Sequence, residues 1–296
     1  MMTVKKILIN PDNAGRRIDN YLISIFRSVP KSKIYNIIRK GEVRVNSSRV
    51  KPSYKLNVND NIRVPPNLNL RKPTIKSIDQ EIIDKHTNDI LYQDSNYIII
   101  NKKRGIPVHS GTKNIVGLID IYRKKFGKDI DLCHRIDKGT TGCLVFAKNK
   151  KSVKFFNNLL KNNNIKKTYI SILKGKLQKN ITVNEPINKN IYSKSKKSIS
   201  KFKKITYLKD ATLSEIEIYT GRSHQIRIHA SLINHPILFD NKYGDFKLNN
   251  SFDKDIKKYI ALHAQSICFK NSNSKLIDIS CSPPKEFNNL IELLNY

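Results

Sequence analysis

The chain has 296 residues, 39% of them hydrophobic, and its 56 Lys and Arg against 24 Asp and Glu give a formal net charge of +32. The apolar share supports one substantial core plus a smaller module, while a surplus of that size repels itself unless a polyanion, with nucleic acid favoured, shares the field. No stretch approaches the length of a membrane span, and the basic start carries an apolar run too short for a signal peptide, which excludes a membrane partner and points to the cytoplasm. A biased codon supply would explain the lysine total but not its clustering.

Residues 14–65 read as a compact helix-helix-hairpin module. Ile18, Leu22 and Ile25 recur at helical spacing, and Ile34, Ile37 and Ile38 form a second stripe after Pro30, which suits an opening helical turn. Gly41 stands where a left-handed cap ends that helix. In EVRVNSSRV, Val43 and Val45 alternate with charged neighbours around a polar turn, as in a hairpin with one solvated face. Arg16, Arg17, Lys31, Lys33, Arg39, Lys40, Arg44 and Arg49 are thereby expected to share a surface, and such clustering is the footprint of phosphate contact rather than base reading.

Residues 66–90 show no sustained periodicity and are expected to form a linker with at most a short helix, leaving two modules that move independently. Over residues 91–296, strand-like runs alternate with helical ones. Tyr97 to Ile100 reads as a buried strand, KSVKFFNNLLK as a helix with Ser152 at its N-cap, and KKTYISILKG and ATLSEIEIYTG as strands. SHQIRIHASLI reads as a helix capped by Ser223, with Ile226, Ala230 and Ile233 on one face. The mixture predicts an α+β domain on a mixed, largely antiparallel sheet. Cys133, Cys143, Cys268 and Cys281 fit neither a zinc knuckle nor a dense disulfide framework and are expected as reduced, mostly buried thiols. His134, His224 and His229 lack HExxH spacing, so no metal is expected there.

HRIDKGTTG, residues 134–142, sets one acid, Asp137, on a glycine-rich corner. Read bare, this is a turn aspartate that satisfies backbone amides. Longer stretches point elsewhere. HRIDKGTTGCLVFAKN resembles the HRLD-containing signature of the RluA-type pseudouridine synthases, and TGRSHQIRIHASLINHPILFDNKYGD is similar to their second long signature. The first module resembles the S4 RNA-binding domain, and the resemblance extends across nearly the whole chain.

That resemblance implies a pseudouridine synthase catalytic domain and a uridine isomerase acting on RNA without cofactor or metal. The glycosidic bond to N1 breaks, the uracil turns in the site, and C5 joins the ribose. VPKSKIYNIIRKGEVRVN and RVKPSYKL look most like a subgroup that modifies several uridines of 23S rRNA. The implied partner is 23S rRNA or a large-subunit assembly intermediate, met by a monomer.

The resemblance also implies roles for single residues. Asp137 matches the catalytic aspartate, as a nucleophile at the ribose or a base in a glycal route, and a cationic field helps keep such an acid ionised. Arg135 matches the residue that enters the RNA helix in place of the flipped uridine. Tyr169 matches the active-site tyrosine, whose ring suits a flipped uracil and whose phenol can assist removal of the C5 proton. Arg227 corresponds to the arginine that pairs with the aspartate, Arg222 is a candidate phosphate contact, and Leu262 resembles the apolar residue packed beneath the uracil. Departures are HRID for HRLD, Lys138 and Thr141 where Arg and Ser are usual, and Lys103 in place of a proline in INKKRG. The alternatives are a non-catalytic RNA-binding assembly factor and a synthase of the same family acting on other rRNA or tRNA uridines.

Overall fold

The computed structural model describes residues 4–26, 29–66, 68, 78–110, 116–188, 195–253, 256 and 259–295. The chain divides into two compact units, Met1–Ser77 and Ile78–Tyr296.

The smaller unit contains β1 (Lys5–Leu8), α1 (Ile18–Ile25), α2 (Lys31–Arg39), β2 (Arg44–Val45), β3 (Ser48–Arg49) and β4 (Asn61–Val64). Ile18, Leu22, Ile34, Ile37 and Ile38 pack against Val43 and Val45 in one core, with Ile25 half-buried beside it. Pro30 caps α2. At its other end Gly41, at φ +74°, donates its N–H to Ile38 O, and Glu42 donates to Ile37 O. This left-handed closure satisfies the last carbonyls. Asn46 and Ser47, both at positive φ, turn the chain between β2 and β3. The antiparallel sheet runs β1-β4-β2-β3. The unit therefore starts before residue 14: β1 is an edge strand with little burial, so its sequence lacks the apolar alternation that marks a strand.

The larger unit begins with α3 (Gln80–Thr87), β5 (Ile90–Gln93), β6 (Tyr97–Lys102), α4 (Leu118–Phe126), β7 (Asp131–Leu132), β8 (Thr141–Ala147) and α5 (Lys150–Lys161). It continues with β9 (Ile165–Lys174), β10 (Ile181–Val183), β11 (Ser200–Tyr207), β12 (Ala211–Ile218), α6 (Gln225–Leu232), α7 (Phe246–Ser251), β13 (Leu262–Lys270), β14 (Leu276–Ser280) and α8 (Lys285–Asn295). The stretch expected as a linker is thus partly structured. Ile83 of α3 is buried in the same core as α4, and Tyr122 Oη donates to His86 O at 3.0 Å, so these residues belong to the larger unit. Residues 67 and 69–77 lie outside the described residues.

The main sheet runs β10-β11-β12-β9-β13-β8-β6-β5, with β14 on β13 and β7 on β8. It is mixed: among the described residues only β13 and β8 pair in parallel, with Ala264 opposite Gly142. Gly142 sits at φ +107°, and a Cβ there would lie 2.2 Å from Ala264 O. Only glycine permits that approach, which seats the start of β8 and the turn before it.

Two caps differ from expectation. Asn149 caps α5 by accepting from Ser152 N at 2.8 Å, while Ser152 lies inside the helix and donates its hydroxyl to Asn96. The residue before α6 is His224, left-handed at φ 56°, not Ser223. No side chain caps α6; instead Gln225, its first residue, reaches back, its Oε1 accepting from Arg222 N and Thr220 Oγ1 and so tying the preceding turn to the helix. Ile226 and Ala230 are buried and Ile233 is half-buried, as the helical spacing predicts. All four cysteines are free, with Cys133 and Cys143 buried and Cys268 and Cys281 half-buried. No helix among the described residues is long and apolar enough to cross a membrane.

Candidate active site

A cleft of about 650 Å³ is lined by the turn before β8, by β9, by the segment leading into α6, and by Leu262. Asp137 sits in that turn, where Thr140 N donates to its carbonyl and Gly105 N donates to Lys138 O. Beneath the turn lies Lys102, the last residue of β6 and 1% exposed. Its Nζ donates to Lys103 O at 3.0 Å, Lys138 O at 3.2 Å and Thr140 O at 2.8 Å, tying the strand end to both sides of the Asp137 turn.

Burial pushes the Lys102 amine down to about 7, against the pull of Asp137. An amine held below its unfolded value of about 10.4 opposes folding while protonated, and the penalty fades as pH rises from 7 towards that value. Stability of the whole chain is therefore expected to climb between pH 7 and 9. Lys102→Met removes up to about 1 kcal/mol per pH unit of that slope. Urea unfolding at the two pH values measures it; an unchanged slope in the variant would assign the rise to other groups.

The Asp137 carboxylate is held from one side. Arg227 of α6, whose side chain is 11% exposed, places Nη1 3.3 Å from Asp137 Oδ2, and His224 Nε2 stands 3.8 Å from the same oxygen. Asp137 lines the cleft, and among the described residues its Oδ1 has no hydrogen-bond partner. Arg227 is itself fixed by Asp240, which is 1% exposed: Nε and Nη2 each lie 2.7 Å from a different carboxylate oxygen. The backbone amides of Lys242 and Tyr243 also donate to Asp240 Oδ1. Burial works to raise the Asp240 carboxyl, but Arg227 and the two amides outweigh it and hold it below the usual range. Burial also lowers His224 against the pull of Asp137, so its imidazole is neutral at pH 7.

Tyr169 of β9 is 7% exposed and lines the cleft, while Ile170 and Ile172 are buried in the core. Burial raises its phenol, with Asp137 and Cys143 adding to the rise, so it stays protonated. Leu262 is buried at the cleft wall, and opposite it in register stands Ser171 of β9. Arg135 and Arg222 are exposed at the cleft, and Arg222 Nε donates to Lys197 O.

The cleft therefore gathers Asp137, Arg135, Tyr169, Arg222, Arg227 and Leu262. The other expected residues lie in the smaller unit. Lys31, Lys33, Arg39, Lys40 and Arg49 are exposed there, and Arg16 bonds Asn13 and Ser24. Arg17 is engaged by both oxygens of buried Asp19, and half-buried Arg44 donates to Gly41 O and Ser47 O, so these two stabilise the unit locally. Sequence reasoning missed Lys102, His224 and Asp240; for Asp240 the signal was present, because it stands in FDNKYGD within the second long stretch.

A cationic cleft with a single carboxylate held by an arginine is suited to a polyanionic ligand and to carboxylate chemistry on it. A family model described as RNA pseudouridylate synthase matches residues 96–232, and an S4 domain model matches residues 16–62. A ribosomal large subunit pseudouridine synthase C of Buchnera aphidicola (subsp. Acyrthosiphon pisum, strain APS) is 38% identical over 92% of this chain and 92% of its own. One of Pasteurella multocida (strain Pm70) is 35% identical over 90% of this chain and 86% of its own. The solved structure of human RNA pseudouridylate synthase domain containing 4 shares the fold, with a TM-score of 0.61 at 22% identity, covering 72% of this chain and 95% of that one. The chain belongs to the RNA pseudouridylate synthase family, and it is an isomerase.

Proposed function

We propose that this chain isomerises uridines of large-subunit ribosomal RNA, acting in the cytoplasm as a monomer on 23S rRNA or on an assembly intermediate. The observation that carries the reading is the Asp137 carboxylate, bound through Oδ2 by Arg227 and left open at Oδ1 within a cation-lined cleft. The unit matched by the S4 model would grip the RNA through Lys31, Lys33, Arg39 and Lys40 together with Arg16 and Arg49, all exposed on it.

In this reading Oδ1 of Asp137 approaches the sugar of the flipped nucleotide, and Arg227 holds the carboxylate through Oδ2 and aims it. Arg135, exposed at the cleft edge, fills the space the uridine leaves in the RNA helix. The uracil lies against the Tyr169 ring with Leu262 beneath it, and the neutral phenol offers a hydroxyl rather than a phenolate. Arg222 contacts phosphate at the approach to α6.

The test is incubation of the full chain with unmodified 23S rRNA and with large-subunit precursor particles, followed by mapping of pseudouridine as chemically induced reverse-transcription stops. Discrete stops in either substrate are expected. Their absence from both, with RNA still bound, would overturn the reading in favour of a binding protein.

A further inference from the structure

The cleft is lined by a buried lysine whose environment differs from that of Lys102, which lies beneath the Asp137 turn. Lys167 lies on β9 two residues from Tyr169, so the two share a face of the strand, and both line the cleft. Lys167 is 6% exposed. Lys102 donates to three carbonyls, but Lys167 has no hydrogen-bond acceptor and no carboxylate partner among the described residues. The charged neighbour it does have is Arg222, of like sign. Its Nζ stands 3.9 Å from where a Cβ would lie on Gly221, so no side chain comes from that residue to cover it.

Burial, with Arg222 adding, pushes Lys167 down to about 8, which leaves it charged at pH 7. A buried cation without a counter-ion costs the fold stability. The single carboxylate of the cleft, on Asp137, is already engaged by Arg227. The Lys167 Nζ is not sealed from the cleft, so an anion entering there meets both cations and supplies the counter-charge that the wall lacks.

We propose that Lys167 and Arg222 form a phosphate subsite within the Asp137 cleft, which takes the backbone phosphate next to the reacting nucleotide. This rests on reading the cleft as the place where RNA is modified. Lys167 is then a binding residue: it registers the strand so that the sugar-base linkage meets Asp137.

The probes are uridine, uridine 3′,5′-bisphosphate and inorganic phosphate, titrated calorimetrically into the full chain, Lys167→Met and Lys166→Met. Lys166 is exposed and carries the same charge, so its variant controls for the long-range field. Lys167→Met is expected to weaken the bisphosphate about ten-fold and to flatten its salt dependence, with uridine affinity unchanged. Its thermal midpoint is expected to hold or rise, because a charge that a mostly buried side chain carries without a counter-ion has been removed. Equal weakening of uridine and bisphosphate, an equal loss in Lys166→Met, or no bisphosphate binding by the wild type would overturn the proposal. So would inorganic phosphate binding as tightly as the bisphosphate, which assigns the site to the free ion. Conversion of uridine in rRNA is scored separately, so a chain that fails to isomerise yet binds the bisphosphate through Lys167 overturns the functional reading alone.

Discussion

Asp137→Asn is expected to lower pseudouridine formation by on the order of 10⁴-fold or more while leaving RNA affinity within a few-fold. Asn keeps the size of the side chain and an oxygen for Arg227, but it cannot attack the sugar or take its proton. The site does not collapse around the change, because Arg227 remains paired through Nε and Nη2 to buried Asp240. Affinity survives because the cations that face the RNA are untouched, and removing one negative charge from such a cleft works against binding in no direct way. Single-turnover conversion and filter binding with the same RNA separate the two effects. Undiminished conversion would show that the carboxylate does no chemistry; loss of both conversion and binding would return Asp137 to the role of a turn residue.

Periodicity made most of the fold legible. Ile34, Ile37 and Ile38 specify α2, and the run from Tyr97 to Ile100 specifies β6, because burial on one face or on both repeats a visible spacing. What escaped was decided by contacts between distant residues. Strand β1 exists through pairing with β4, and its own residues are largely exposed. Ser152 loses the cap of α5 to Asn149 three positions earlier, and α6 begins after a left-handed His224 with no side-chain cap, so Ser223 stays outside it. At the site, Asp137 and Arg227 are 90 positions apart and were found through whole signatures rather than through spacing. Lys102 and Lys167 illustrate the harder limit: in a chain with 56 basic residues a buried lysine looks like any other. Only the tertiary structure separates the one that braces a turn from the one without a partner.

Asp240→Ala is expected to damage stability and catalysis together, in proportions that Asp240→Asn alters. Truncation leaves the Nε and Nη2 donors of a nearly buried guanidinium, and the amides of Lys242 and Tyr243, without their acceptor. Breaking a buried charged pair from one side costs roughly 3–5 kcal/mol. Arg227 then has Asp137 as its remaining carboxylate and is drawn towards it, which turns the open oxygen away from the sugar, so kcat should fall about 10²-fold with KM little changed. Asn at 240 restores one acceptor, and it should recover more stability than activity. The pair also carries a pH signature. Because Asp240 is held below its ordinary range, its contribution is present above an unfolded value of about 3.9 and is lost as pH falls through the folded one. Urea unfolding of the alanine variant should therefore show a shallower decline in acid than the wild type. A stability loss of this size with kcat intact would mean that Arg227 finds Asp137 without help, and that the Asp240 contact holds the fold rather than the reacting carboxylate.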